Sequence, residues 1–492
     1  MTAWVELALV ASQKTFDELA EALEAGPPFK GVEVERLAVV AQELETHAPG
    51  WCLSVEQHAD ARTLHAVEIV QAGLPGVTRC RKFARPMGDD AGVSLSELVA
   101  SGDAPSALQH VERVLSPTRE SRRMQWRADS RVGAVLAVLA AQDGERTTLT
   151  LAAPADAADA LGAVFDVARA AVDAAPFHLL ADANDANDAD TSGAPVVHAS
   201  KVDVPRRSTT REAFVAIAAS IASHWFGNEA GALRSLDVER VHQLRVAQRR
   251  LKTLLKLFPD CVDAAWDETI APELDWFGDL LADARDWDVF TDTTLGAWAA
   301  ADAQGAPSWR NAIDAADAKR MAARGRLDAA LHSTRYARLT LAFVEWLARL
   351  EAHGGHGGHD SGVDLAKYAK KRIRKHYRKI ADVADLTTLD AHARHRVRIH
   401  AKRLRYALEF LRSLATGRTR KIVARRLSRL QSVLGEANDA AVAADRLAAL
   451  PSANDYQRGF ARAWAAVSEA KDAAEGERIL RSIDAPRLKS PD

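Results

Sequence analysis

A basic helical motif occurs twice in the second half of the chain, at a spacing of 153 residues. In alignment the two copies read His242-x-x-Arg245-x-x-x-Arg249-Arg250-Leu251-Lys252 and His395-x-x-Arg398-x-x-x-Lys402-Arg403-Leu404-Arg405. Downstream, Ala284-Arg285-Asp286 aligns with Ala437-Asn438-Asp439 at the same spacing. Two matches at one spacing indicate an internal duplication, so we expect two related modules of roughly four helices each.

Each copy of the motif places its cations on one side of a helix. At 100° per residue, the cations of the first copy span an arc of about 80°. They are His242, Arg245, Arg249, Lys252 and Lys256, and their counterparts are His395, Arg398, Lys402 and Arg405. An apolar stripe runs beside each arc, at the spacing of a helix that faces a core. We therefore expect a ladder of cations along the edge of each helical core, with Arg250 and Arg403 adding to it.

The charge distribution favours an anionic ligand for this half. Residues 1–200 contain 16 Lys and Arg against 29 Asp and Glu, whereas residues 201–492 contain 49 against 38. Residues 366–429 hold 21 basic and only four acidic side chains, including a further basic helix that contributes Lys371, Arg374 and Arg378. A solvated charged face is the alternative. Anion binding is favoured because like charges crowded on one arc destabilise a helix, and i,i+4 acidic partners are largely missing.

Phosphate matches these residue types. Arg offers planar paired hydrogen bonds, Lys a point charge and His a titratable donor. Asp286 and Asp439 are expected to orient the cations rather than to bind a metal, because Asp288 has Ala441 as its counterpart in the second copy. We expect no cofactor, no metal and no catalytic residue. The cysteines, Cys52, Cys80 and Cys261, are too far apart in sequence to suggest a disulfide framework or a zinc site.

Composition shifts predict the domain boundaries. The tract 181–190, rich in Ala, Asp and Asn, predicts a flexible linker over 181–200, and the Gly- and His-rich segment 353–362 predicts a loop. The expected divisions are an N-terminal domain over 1–180, helical repeats over 201–352 and 363–450, and a C-terminal helix and tail over 451–492. We expect the last part of that tail, from Pro486 to Pro491, to be disordered.

The repeated motifs resemble the CHAD domain over about Thr209 to Ala449. The resemblance rests on Val241–Leu251, Ala284–Val289, Lys402–Glu409 and Leu430–Asp439. It implies an all-helical domain of two pseudo-symmetric four-helix bundles with a positively charged cleft. It also implies binding of inorganic polyphosphate and, in some members, association with polyphosphate or polyhydroxyalkanoate granules.

Residues 1–180 resemble a degenerate CYTH domain, a triphosphate-tunnel fold, which would make the whole chain α+β. The E-x-E-x-K strand of that family aligns with Trp4-Val5-Glu6-Leu7-Ala8, which keeps one acid and lacks the lysine. Residues 134–139 and 147–151 predict a strand pair around a turn. Triphosphate hydrolysis needs a metal to neutralise developing charge, so we expect this domain to be inactive.

The sequence thus predicts a non-enzymatic polyphosphate-binding protein. A metal-dependent triphosphatase of the CYTH class and a general polyanion or nucleic-acid binder stay open as alternatives, although the basic arcs hold few aromatic side chains for base stacking. We find neither an apolar run of about 20 residues nor a basic leader at the N-terminus, so we expect a cytoplasmic protein, on granules of one of the two kinds.

Overall fold

The computed structural model describes residues 2–11, 14–46, 49–87, 111–114, 119–142, 146–180, 195–302, 309–354 and 364–489. Contacts divide the chain into two compact units. Unit 1 comprises Met1–Pro195 together with Leu331–Arg349, and unit 2 comprises Val196–Ala330 and Leu350–Asp492. Most of the expected linker lies outside the described residues, as do residues 355–363 of the expected Gly- and His-rich loop.

Unit 1 is built on an antiparallel sheet. Its strands are β1 (Thr2–Ala11), β2 (Val34–Thr46), β3 (Trp51–His58), β4 (Ala61–Leu74), β5 (Val77–Met87), β6 (Val111–Val114), β7 (Arg119–Ser130), β8 (Gly133–Gln142), β9 (Thr147–Pro154) and β10 (His178–Leu179). The order β1-β5-β4-β3-β2-β7-β8-β9 returns to β1 through pairing of β9 with β1, so the sheet closes on itself. The predicted strand pair is confirmed as β8 and β9, with Leu139 opposite Leu149.

The closed sheet has an apolar outer face where two helices cover it. Helix α1 (Phe16–Ala25) packs against β8, and α2 (Ala160–Ala174) packs against β1, β7, β8 and β9. Leu7, Leu139 and Leu149 are fully buried there. Because side chains alternate between faces along a strand, the residues between these point into the interior of the closed sheet.

The remaining helices form unit 2, except that one of them lies mostly in unit 1. They are α3 (Thr210–Ala232), α4 (Val238–Leu257), α5 (Ala271–Val289), α6 (Gly296–Ala301), α7 (Arg310–Leu331), α8 (Thr334–Gly354), α9 (Leu365–Ala381), α10 (Ala391–Phe410), α11 (Ala424–Ala448) and α12 (Asp455–Arg481). Most of α8 falls within unit 1, where Arg338 pairs with Asp173 of α2 at 2.7 Å and Arg349 with Asp159 at 3.1 Å. The expected loop begins later than predicted, since His353 and Gly354 end α8.

The boundaries of the helices repeat at the spacing found in the sequence. Helix α4 spans Val238–Leu257 and α10 spans Ala391–Phe410, so both ends are displaced by 153 residues. An aspartate, Asp237 or Asp390, caps each N-terminus by accepting from a backbone amide. A π-helical turn precedes both α5 and α11, beginning at Trp266 and at Thr419. The duplication therefore extends to the irregular turns between the helices.

The two halves of unit 2 share an apolar core. It joins the end of α5, α6 and α7 to α11 and α12 through a buried cluster that includes Trp298, Trp309, Leu447 and Ala461. Helix α12 packs along α11, so the second module consists of α9 to α12 and continues past residue 450. The α+β fold, with an N-terminal antiparallel sheet and a C-terminal helical region, is confirmed.

The C-terminal segment is more ordered than the sequence predicts. Beyond α12, the backbone amide of Lys489 donates to the carbonyl of Leu414 at 2.8 Å, and that of Thr416 donates to Arg487 at 3.0 Å. The expected disorder is therefore wrong for residues 486–489, because backbone hydrogen bonds to residues 414–416 hold a segment that has few apolar side chains to bury. Residues 490–492 lie outside the described part. In the helices of the described segments, no stretch is long and apolar enough to cross a membrane.

Candidate anion-binding site

A cavity of about 290 Å³ lies between the two repeats of unit 2, and we call it the central cavity. Four helices contribute to its walls. Its charged and polar lining residues are His242, Arg245 and Arg249 from α4, Arg285 and Asp286 from α5, Thr294 from the turn after α5, Arg398 from α10, and Asn438, Asp439 and Arg446 from α11. The structure thus brings both copies of the basic motif, and both copies of the downstream Asp motif, to one place.

Close packing of α4 on α5 positions the first set of cations. Gln248, which interrupts the apolar stripe of α4, is buried and donates to the carbonyl of Leu274 at 2.5 Å. A Cβ at Gly278 would collide with the Gln248 side-chain amide, which would have to shift away from its present position. The contact holds the turns that carry Arg245 and Arg249 against α5.

Equivalent ion pairs occur in the two repeats. Arg245 Nη2 lies 3.1 Å from Asp286 Oδ1, and Arg398 Nη2 lies 4.0 Å from Asp439 Oδ1. Each arginine is about three-quarters buried by side chain, whereas Asp439 is largely exposed. The two aspartates therefore stand where they can fix the direction of the two guanidinium groups.

Asp286 also forms an ion pair with a cation that has no charged counterpart in the other repeat. Arg446 Nη2 lies 3.4 Å from Asp286, and the Arg446 guanidinium sits 4.7 Å from the centre of the Trp287 ring. The repeat does not predict Arg446, because its counterpart in the first copy is Thr293, which carries no charge. Arg285 and Asn438 also line the cavity without having been predicted, although both lie within the aligned Asp motif.

Several cations of the site have no compensating carboxylate. Among the residues that the structure describes, Arg249, Lys256, Lys402 and Arg403 form no ion pair, and Arg249 Nε and Arg398 Nε are buried without a hydrogen-bond partner. Burial, together with the neighbouring Arg249 and Arg398, lowers the pKa of Lys402 to about 8. Burial and the cations around it also lower the pKa of His242. The site thus holds positive charge that is not neutralised from within.

Other predicted residues lie outside the central cavity. Arg250 is 1% exposed and pairs with Glu409 at 3.2 Å, and Arg405 pairs with the same carboxylate at 3.1 Å. Lys252 pairs with the exposed Asp275 at 2.7 Å. The ring of His395 lies at the rim, where its Nδ1 is 3.2 Å from Asn438 Oδ1. Some cations of the motif therefore line the central cavity, whereas others form ion pairs with carboxylates of the protein.

Helix α9 lines a separate open groove with a volume of about 800 Å³, which we call the α9 groove. Its lining residues are Lys367, Lys370, Lys371, Arg374, Lys375, Arg378, Lys379, Asp382 and Val383. On the opposite side of the helix Leu365, Ile373 and Ile380 are buried. None of the seven cations forms an ion pair within the described segments. The groove contains the predicted Lys371, Arg374 and Arg378.

The comparison with protein families decides the identity of this region. Residues 216–448 match the model of the CHAD domain. The chain contains a CHAD domain. The match covers the helices that line the central cavity, so the cavity is a feature of the CHAD domain itself.

Three known proteins are similar to parts of this chain. The crystal structure of the CHAD domain from the plant Ricinus communis is 28% identical with a TM-score of 0.50, over 60% of this chain and 99% of that one. The structure of PptA from Streptomyces chartreusis is 20% identical with a TM-score of 0.41, over 56% of this chain and all of that one. The uncharacterized protein Rv2226 of Mycobacterium tuberculosis is 31% identical over 222 residues, 44% of this chain and 41% of that relative. The chain thus matches less than half of that relative's length.

Two ion pairs lie inside the closed sheet of unit 1, a β-rich region compatible with a CYTH-like domain. Arg122 pairs with Asp17 of α1 on the outer face, so its neighbour Arg123 points inward, where it binds Glu56 through two hydrogen bonds of 2.9 and 3.0 Å. Glu6 and Lys82 form a second inward ion pair. The motif search found only Glu6, because Glu56 joins it through strand register rather than through a local pattern.

Proposed function

We propose that the CHAD domain binds inorganic polyphosphate in the central cavity. The observation that carries this proposal is the convergence of Arg245 and Arg249 from one repeat and Arg398 from the other on one cavity with uncompensated positive charge. Lys402 lies beside that cavity, close enough to Arg249 and Arg398 for both to lower its pKa. A charge-assisted hydrogen bond contributes about 1.5–3 kcal/mol, so a few such bonds offset the cost of ordering a flexible anion. Binding of long chains would attach the protein to polyphosphate or polyhydroxyalkanoate granules in the cytoplasm.

We further propose that the protein is not an enzyme. The inward carboxylates Glu6 and Glu56 are engaged by Lys82 and Arg123, so binding a metal there would require breaking two ion pairs. In the described segments, no group of three or more His, Cys, Asp or Glu side chains is arranged to hold a metal ion. These contacts favour a structural role for the closed sheet over triphosphate hydrolysis.

The test is a titration of the full chain with long-chain polyphosphate at roughly physiological salt, where exposed charges are already screened. Single- and double-stranded DNA of equal charge serve as competitors, and phosphate release is followed with magnesium present. We expect tight binding that DNA does not displace and no phosphate release. Phosphate release would instead support a triphosphatase, and displacement by DNA a general polyanion surface.

The affinity should depend on pH through Lys402. Because its pKa is lowered to about 8, Lys402 loses its proton between pH 7 and pH 9, and we expect polyphosphate affinity to fall over that range. The free energy of unfolding moves in the opposite direction, since an unfolded lysine titrates near 10.4 and holds more protons above pH 8 than the folded one. Binding curves at several pH values check this, and K402R should flatten the dependence.

Asp286→Asn tests whether Asp286 helps ligand binding by orienting arginines or weakens it through its negative charge. The substitution removes a negative charge from the cavity, so charge alone predicts tighter binding. We expect affinity to fall about five-fold, the equivalent of about 1 kcal/mol, because Arg245 and Arg446 lose the carboxylate that directs them. Calorimetric titration of wild type and variant measures the sign, and tighter binding by the variant would refute an orienting role.

A further inference from the structure

We propose that one long polyphosphate chain occupies the central cavity and the α9 groove at the same time, passing over α10 at Lys402 and Arg403. A short chain would fill only one of the two surfaces. This inference rests on the proposed function and adds a preference for chain length to it.

The central cavity and α9 lie on opposite sides of α10. Arg398 of α10 lines the central cavity, whereas His400 faces α9, where its ring centre lies 5.9 Å from that of His376. Two residues correspond to 200° of helix rotation, so these side chains point in nearly opposite directions. The two cavities share no lining residue. Arg374 of the groove is likewise two residues from His376, so the groove lies mainly on the side of α9 that faces away from α10. A ligand on both surfaces would therefore have to pass two helices, a path of roughly 20 Å.

Lys402 and Arg403 provide cations along that path. Lys402 is one turn beyond Arg398, on the side of the central cavity, and Arg403 is one turn beyond His400, on the side of α9. Arg403 is close enough to His376 and His400 to contribute to the lowering of both pKa values, and Lys375 of the groove acts on the same two rings. Positive charge therefore continues from the cavity over α10 to the groove.

This path is available to a ligand. Neither Lys402 nor Arg403 forms an ion pair with any residue of the described segments, and both side chains are half-buried rather than enclosed. The α9 groove likewise has seven cations and one acid among its lining residues. A chain that reaches both surfaces binds the second one intramolecularly, which raises overall affinity by about 100- to 10,000-fold without a new kind of contact.

The experiment compares tripolyphosphate with polyphosphate of roughly 100 units, using the full chain. In the wild type we expect about two tripolyphosphates per chain and a long-chain affinity at least about 100-fold higher. K371Q/R374Q/R378Q should reduce the number of bound tripolyphosphates from about two to about one and remove most of the long-chain advantage.

K402Q/R403Q tests the bridge itself. We expect it to reduce the ratio of long-chain to short-chain affinity to below about 10, while R462Q/K471Q, which removes the same charge from exposed positions of α12, keeps the wild-type ratio. An unchanged ratio in K402Q/R403Q, with both ligands still bound, would overturn the shared-chain proposal and leave the proposed function standing. If neither ligand binds to the wild type, the proposed function itself fails.

Discussion

Replacement of Arg245, Arg249, Arg398 and Lys402 by Ala is expected to lower polyphosphate affinity by about 1,000-fold or more. Each side chain can make a charge-assisted hydrogen bond to phosphate, and four such bonds at about 1.5 kcal/mol each would already exceed a 1,000-fold effect. Two of the four come from each repeat, so the variant removes three cations that line the central cavity and the adjacent Lys402. Titration with long-chain polyphosphate at about 0.15 M salt gives the affinity.

The matched control removes four cations from elsewhere on the helical unit. R310A/K319A/R462A/K471A changes net charge equally at exposed positions of α7 and α12 that form no ion pair in the described part of the chain. We expect its affinity to stay within a few-fold of wild type. Circular dichroism should show unchanged helicity for both variants, since Asp286 keeps Arg446 as a partner when Arg245 is removed. Equal losses of affinity in the two variants would mean that net charge, not the cavity, attracts the ligand.

Much of the helical unit could be predicted because its determinants are local or periodic. A helix period of 3.6 residues fixes which side of α4 and α10 is apolar, and the 153-residue spacing anticipates the bounds of both helices. The alternation of apolar residues likewise gives the β8–β9 pair. These features need no knowledge of which distant segments meet.

The remaining features depend on tertiary contacts between distant segments. Glu56 and Arg123 meet inside the closed sheet because β2 separates their strands by one position, and neither residue lies in a motif. Arg446 enters the cavity from a position that the duplication leaves uncharged. The sequence predicts that the second module ends at residue 450, before its fourth helix. That helix packs on α11, but the repeated motif contains no residue that indicates this packing.

Arg250 and Arg403 show how two equivalent motif positions diverge. They are separated by the repeat spacing of 153 residues, so sequence analysis assigned both to the ligand. In the structure Arg250 is fully buried, pairs with Glu409 of α10 and lies 5.6 Å from the centre of the Phe410 ring. The counterpart of Glu409 in the first repeat is Lys256, which cannot pair with Arg403. Arg250 therefore forms a contact between the two repeats, whereas the charge of Arg403 stays available to a ligand.

Arg250→Ala is accordingly expected to lower the free energy of unfolding by about 2–3 kcal/mol, because a buried side chain loses its ion pair with Glu409 and its packing on Phe410, while Arg405 still pairs with that carboxylate. With an m value of about 1–3 kcal/mol per molar urea, the unfolding midpoint should fall by about 1 M or more. Arg403→Ala is the matched substitution, and we expect its midpoint to stay near that of wild type while its affinity for long polyphosphate falls. Urea unfolding followed by helical circular dichroism, combined with titration, measures both effects. A stable R250A variant that binds weakly would return Arg250 to the ligand site, because an internal ion pair predicts a loss of stability first and a loss of binding only through unfolding.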